Sequence, residues 1–222
     1  MKYLLHIDTS GDSGCVALAG DGKLLAHQIN TEARNHAGSI NIMIQDIIGE
    51  VGISIKDLSG IVVCAGPGSY TGLRIGLSTA KGLCYAADLP LLMDNKLTLL
   101  ANQAHAREGK TYKYYAALLT AREKEYFISV FDNEFNNIFP AQHIQENELR
   151  TIVLDHKKIH MSVDASFVAN SLEIGENLNI STMSEIDLNL WVSYAFEQYQ
   201  CNKTVNLSTA EPFYLKQVYT HK

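Results

Sequence analysis

The chain has 222 residues, 46% of them hydrophobic, and 24 acidic side chains outweigh 18 lysines and arginines to give a net charge of −6. That balance argues against a chain that grips nucleic acid by itself, although a local basic patch is still allowed. The cysteines (15, 64, 84 and 201) form no C-x-x-C pair, the opening MKYLLHIDTS reaches His6 and Asp8 before a signal-peptide core can form, and no apolar run reaches the roughly 18 residues of a membrane span. Buried thiols, a cytoplasmic location and no membrane contact are therefore expected.

Tyr3 to Asp8 reads as a strand and Ser13 to Ala19 as a second. Asp21-Gly22 is a two-residue hairpin signal, so Lys23 to Ile29 becomes a third, antiparallel strand. From Ala37 the period changes. Ile40, Met43, Ile44, Ile47, Ile48 and Val51 recur at helical spacing and predict an amphipathic first helix. A fourth strand spans Ile61 to Ala65, a second helix Thr71 to Ala87, a short fifth strand Leu89 to Leu92, and a third helix Leu97 to His105.

The second half begins the same way. Tyr114 to Thr120 and Glu125 to Phe131 are strands around a polar turn, and a third strand is expected before Pro140. Helical patterns cover Glu146 to Asp155 and Glu185 to Gln200, with a strand at Ile159 to Val163 between them. Two copies of one supersecondary plan predict a duplicated α/β fold with mixed sheets and crossover helices. The boundary is placed at HAREGKTYK, giving one lobe over residues 1–105 and a second, less regular lobe over 106–222.

The glycine-rich stretch GPGSYTGLRIG, residues 66–76, follows the fourth strand and opens the second helix, where many proteins hold phosphate. It fits neither standard phosphate loop. Leu73 and Arg74 stand where a P-loop needs Lys and Ser/Thr, and the last glycine is one place late for G-x-G-x-x-G. Gly68, Gly72, Gly76 and Ala80 instead recur every four residues, a stripe of small side chains on one helix face. Glycine in a helix body costs about 1 kcal/mol relative to alanine. The stripe therefore implies another backbone close by, belonging either to the chain's own sheet or first helix or to a partner's helix.

GPGSYTGLRIGLSTAKGL resembles the signature of the TsaB family, also called YeaZ. LHIDTSGDSGCVAL, NHAGSINIMIQDII, ADLPLL, TAREKEYF and EPFYLK are similar in position to that family's opening strands, first helix, fifth strand, D-A-R-x-x-E-V-Y segment and C-terminal P-x-Y-L-[RK] segment. The match is specific at 66–83 and loose from about 132 to 200. The resemblance implies the actin, Hsp70 and sugar-kinase superfold (ribonuclease H-like), with two lobes. It implies a non-catalytic subunit that binds the catalytic relative TsaD and, with it, the ATPase TsaE. That assembly places threonylcarbamoyl on N6 of the adenosine next to the tRNA anticodon. Thr120 departs from the family, which has aspartate there.

TsaD-like chains carry H-x-x-x-H after the fifth strand, a pair that can hold one metal ion. Here Lys96 and Leu100 fall on those positions, so no metal and no cofactor are expected. The chain is shorter than such catalysts, and LEIGENL, at 172–178, has no phosphate-loop character. Asp8, Thr9 and Ser10 sit in the first turn, where superfold relatives hold phosphate; remnant turn chemistry is weighed there against weak nucleotide contact. His36 is read as structural, Ser69 lacks the G-x-S-x-G nucleophile elbow, and Arg122 to Glu125 form a solvated hairpin tip. Tyr112, Tyr114 and Tyr115 with Lys110 and Lys113 suit RNA stacking or, more plainly, a strand.

The partner interface is placed on Ile40, Met43, Ile44, Ile47, Gly72, Gly76 and Ala80, with a homodimer expected when TsaD is absent and no tRNA binding by this chain alone. An autonomous small ATP-using transferase or peptidase is the alternative.

Overall fold

The computed structural model describes residues 1–32, 35–167, 178–183 and 185–216. Ten strands and five helices are seen among them: β1 (Tyr3–Asp8), β2 (Gly14–Gly20), β3 (Lys23–Asn30), α1 (His36–Val51), β4 (Leu58–Cys64), α2 (Tyr70–Ala87), β5 (Leu91–Asp94), α3 (Lys96–Glu108), β6 (Tyr114–Arg122), β7 (Glu125–Asp132), β8 (Asn137–Gln145), α4 (Glu146–Asp155), β9 (Ile159–Val163), β10 (Leu178–Thr182) and α5 (Leu188–Gln200). No helix of the described residues is long and apolar enough to cross a membrane.

The strands form two five-stranded mixed sheets, ordered β3-β2-β1-β4-β5 and β10-β9-β6-β7-β8. Each is a meander of three antiparallel strands whose first strand then pairs in parallel with the fourth, and the fourth with the fifth. The second sheet therefore repeats the plan of the first. At the β2–β3 hairpin Asp21 and Gly22 both have positive φ, the geometry of the expected two-residue turn.

The chain divides into Met1–Asn95 with Asp187–Phe213, and Lys96–Ile186 with the segment from Tyr214 onward. This differs from the expected boundary after residue 105. The reason lies in the apolar face of α3: Leu97, Leu100 and Ala101 are buried with Ala117 of β6 and Phe131 of β7, so the helix belongs to the second unit. Conversely, α5 returns to the first.

In the first unit α1 and α2 cover one face of the sheet. Ile40, Ile44 and Ile47 of α1 and Leu77 and Ala80 of α2 close over Leu5, Ile7, Val16, Leu18, Ile61 and Val63. Burying an aliphatic side chain of this size contributes about 1.5–3 kcal/mol, so this cluster dominates the unit's stability. On β1 the alternate residue His6 lies against Trp191 of α5, edge to face with ring centroids 5.0 Å apart. Trp191, fully buried, donates from Nε1 to Asp94 Oδ2 at 2.7 Å. Burial lowers the His6 pKa to about 4 and, despite the indole donor, raises that of Asp94 to about 6.

In the second unit Leu149, Ile152 and Val153 of α4 pack on Ala116, Leu118, Ile128 and Val130. Two strands differ from expectation. The third strand is expected before Pro140, yet β8 runs through it; β8 is an edge strand and its register with β7 shifts beside Pro140, so the missing N–H costs no central hydrogen bond. Strand β10 has no counterpart in the sequence pattern, because as the other edge it is largely exposed and carries no buried alternation.

Because Asp94 has a raised pKa in the folded protein, its neutral form contributes stability that is complete below the usual value of 3.8 and is lost as pH rises through about 6. Asp94→Asn keeps that group neutral at every pH. Its stability relative to the parent chain should improve by about 2 kcal/mol between about pH 4.5 and about pH 7.5, read by urea unfolding, with the His6 titration cancelling in the difference. An equal difference at both pH values would place Asp94 in an ordinary solvated setting.

Candidate functional site

The glycine-rich stretch forms the link between the end of β4 and the start of α2, and it is built against the β1–β2 turn. Gly66, with φ of +108°, turns the chain out of the sheet. Ser69 N donates to Ser10 O at 2.8 Å, and Thr9 Oγ1 donates to Gly72 O at 2.6 Å. A Cβ on Gly68 would collide with the Ser10 carbonyl, one on Gly72 with the Thr9 carbonyl, and one on Gly76 with Thr9 Oγ1. The close neighbour implied by the stripe is therefore the chain's own first turn.

Part of the helix start is already engaged. A phosphate cradle there needs free backbone amides. Here Ser69 N donates to Ser10 O and Gly72 N to Ser69 Oγ at 3.3 Å, while Leu73 N makes the first ordinary helical bond, to Ser69 O at 2.8 Å. Ser69 is the N-cap of α2, which gives its hydroxyl a structural task. Of the three turn residues singled out for nucleotide contact, Thr9 and Ser10 are buried and only Asp8 reaches the surface, where its Oδ1 accepts from Ser10 N at 2.8 Å. The Ser10 hydroxyl lies 3.7 Å from Cys64 Sγ. His36 is buried at the start of α1 and its Nε2 lies 3.1 Å from Gly11 O, so it ties the same turn to α1.

The residues expected to face a partner lie inside the first unit. Ile40, Met43, Ile44, Ile47, Gly72, Gly76 and Ala80 are all buried. Helical spacing reveals the apolar face of α1 but not what covers it, and the covering is the unit's own sheet and α2. The outward faces of these helices carry other residues, among them Ile42, 60% exposed, and Tyr85, 87% exposed.

In the second unit the motif residues find each other. Glu125 Oε2 accepts from His143 Nε2 at 2.9 Å and from Lys216 Nζ, so TAREKEYF and EPFYLK meet in one half-buried ion pair. The bond from Lys216, then that from His143, holds the Glu125 pKa below the usual carboxylate range. Thr120, where the family has aspartate, is not without a carboxylate: its N–H and Oγ1 both donate to Asp164, which follows β9. Arg122 to Glu125 form the β6–β7 hairpin as expected. Lys96 and Leu100 are both buried, Leu100 within the apolar cluster of α3. Among the described residues no three His, Cys, Asp or Glu side chains are grouped to hold a metal ion. Nearly all of LEIGENL lies outside the described residues.

Sequence reasoning does not find the Asp94–Trp191–His6 cluster. The signals were a carboxylate closing an apolar strand in PLLMD and the chain's one tryptophan, whose N–H needs an acceptor once buried.

The family model described as "TsaD: tRNA N6-adenosine threonylcarbamoyltransferase" matches residues 23–186. The tRNA threonylcarbamoyladenosine biosynthesis protein TsaB of Escherichia coli K12 is 29% identical over 223 residues, covering 96% of this chain and 94% of that protein.

The chain belongs to the TsaD family, on its TsaB (YeaZ) side.

Solved structures agree on the fold of this TsaB-like chain. A Pseudomonas aeruginosa protein, described as similar to peptidase YeaZ, superposes with a TM-score of 0.82 at 22% identity, covering 97% of this chain and all of that one. A putative N-acetylmannosamine kinase from Listeria monocytogenes gives 0.54 at 12% identity, over 89% of this chain and 99% of that one. The fold is thus the actin-like, sugar-kinase-like one, two mixed sheets flanked by helices.

Two glycine substitutions separate the buried stripe from the exposed helix face. Gly72→Ala drives a methyl into the Thr9 carbonyl and should cost about 1–3 kcal/mol in urea unfolding; Gly76→Leu should cost more. Gly82→Ala, whose Cβ meets nothing within 4 Å, should gain up to about 1 kcal/mol. If Gly72→Ala and Gly82→Ala have the same effect, α2 does not pack on the β1–β2 turn as described.

Proposed function

We propose that this chain is the non-catalytic partner subunit of a tRNA N6-threonylcarbamoyl transferase. It binds a TsaD-like catalytic subunit and, with it, a TsaE-like ATPase, in the biosynthesis of tRNA threonylcarbamoyladenosine. The observation that supports this reading is the fate of the two positions that carry metal-binding histidines in TsaD-like chains. Lys96 and Leu100 occupy them, and Leu100 is sealed among Leu97, Ala101, Ala117 and Phe131. A fully buried leucine cannot be exchanged for a ligand without opening the α3 core. Ser69 supports the same view, since its amide is tied to Ser10 and its hydroxyl caps α2, which favours a structural link.

The docking surface is reassigned from the buried faces of α1 and α2 to their outward ones. Ile42, Gln45 and Gly49 share one face of α1, and Ser78, Gly82 and Tyr85 share one face of α2; all six are exposed, and the two helices pack side by side. Exposed small residues let another helix approach closely, and an exposed tyrosine and isoleucine provide the large apolar anchors typical of interface centres. Because TsaD-like chains are relatives, the same face serves a homodimer when the catalytic subunit is missing.

Co-purification with the same organism's TsaD-like protein tests this reading. Ile42→Asp with Tyr85→Asp should weaken the complex at least about tenfold, an effect of hot-spot size, while leaving the urea midpoint of the chain alone unchanged. The purified chain should show no ATPase or peptidase turnover. Turnover that disappears in Asp8→Ala or Ser69→Ala would instead support the autonomous-enzyme alternative.

A further inference from the structure

A second feature lies at the opposite end of the second sheet from Arg122 and Asp164. The loops that precede β6 and β9 and the turn that follows β7 converge there on a pocket of about 470 Å³. Its lining includes Lys110, Lys113, Lys157 and Lys158, with Tyr112 and Asn133. In a chain of net charge −6, four of its 18 basic residues border one cavity. Ligands of open α/β sheets ordinarily sit at the carboxyl ends of the parallel strands. This pocket is at the amino ends of β6 and β9, so it is not the usual ligand edge of the fold.

The walls are held in place from below. The buried Tyr115 hydroxyl donates to Gly109 O at 2.5 Å and accepts from Tyr112 N at 3.3 Å, which fixes the loop carrying Lys110 and Lys113. Lys113 N donates to Lys158 O at 3.0 Å and joins the two lysine-bearing loops. The Tyr112 ring is braced by Tyr115 and His160, with centroids 6.0 and 5.1 Å away. Two acids lie close by: Glu134 pairs with Lys110 at 2.5 Å, both side chains 63% exposed, and Glu108 precedes the loop. An ion pair so exposed is weak and yields readily to a stronger anion.

We propose that this pocket binds the phosphodiester backbone of RNA, with Tyr112 offering a face to a base. Lysine point charges beside a braced aromatic ring are the composition that tracks a nucleic-acid backbone without reading its sequence. No arginine lines the pocket, so the planar fork that recognises carboxylates of an acidic peptide is missing. The net charge of the whole chain argues against RNA binding only when charge is spread evenly, and here it is concentrated. The proposal rests on the partner-subunit reading only for the choice of RNA probe.

The test uses the full chain alone and a fluorescent anticodon stem–loop RNA, read by anisotropy between about 50 and about 200 mM salt. Binding should fall with salt. Lys113→Glu with Lys158→Glu should weaken it about tenfold or more and reduce the logarithmic salt slope by roughly one to two, close to one for each phosphate no longer neutralised. Lys23→Glu with Lys203→Glu makes the same charge change at exposed positions of the other unit and should alter affinity less than about twofold if the pocket is the site.

Lys113→Gln with Lys158→Gln removes charge without reversing it and should give a smaller loss in the same direction; it decides the matter if the glutamate pair fails to fold. No binding at the lowest salt, equal loss in pocket and control variants, displacement by adenosine monophosphate or inorganic phosphate as effective as by RNA, or competition by polyglutamate as strong as by polyadenylate would each overturn the proposal. Because no catalytic subunit is present, a negative result leaves the partner reading intact, and failed co-purification leaves this one intact.

Discussion

The first unit depends on a single close approach, the start of α2 against the β1–β2 turn. Thr9 donates to the Gly72 carbonyl, Ser10 accepts from Ser69, and no side chain larger than hydrogen fits at positions 68, 72 or 76. With α2 held at that distance, its other buried positions, Leu77, Ala80 and Cys84, reach the sheet and α1. The helix accepts the cost of two body glycines, about 1 kcal/mol each, in exchange for a close approach to the Thr9 carbonyl at Gly72 and to the Thr9 hydroxyl at Gly76. The same approach engages the Ser69 amide through the Ser10 carbonyl, so a bond that fixes the fold also occupies a donor at the helix start.

Much of this was legible in the sequence. Alternating and helical periods mark nearly every central element, Asp21-Gly22 marks the hairpin, and the four-residue glycine repeat announces a close neighbour. Which neighbour was not legible. Periodicity states that a face is apolar, not whether sheet or partner covers it, and Ile40, Met43, Ile44 and Ile47 are core. The edge strand β10 escapes for a related reason: largely exposed, it carries little alternation, while the edge strand β8 is legible up to Pro140 but not beyond it. The Asp94–Trp191 bond joins residues 97 apart in sequence, and no local pattern encodes such a pair.

The second unit repeats the sheet order but replaces the glycine approach with polar bonds. Position 120 lacks the family's aspartate, yet Asp164 brings a carboxylate to the same backbone from the neighbouring parallel strand. Glu125 is held by His143 and by Lys216, so the C-terminal segment EPFYLK owes its pattern at least partly to anchoring itself on the β6–β7 hairpin. These bonds give the motif residues structural partners within the second unit.

Native-state hydrogen exchange is the most direct test of the central approach of α2 to the β1–β2 turn. The amides of Ser69 and Leu73 donate to Ser10 O and Ser69 O, and that of Gly72 to the Ser69 hydroxyl. They should exchange as slowly as Ile61 in the core of β4, and adding magnesium-ATP should leave them unchanged. Exchange at the rate of an exposed loop, or protection that appears only with the nucleotide, would contradict the account and return the stretch to the phosphate cradles.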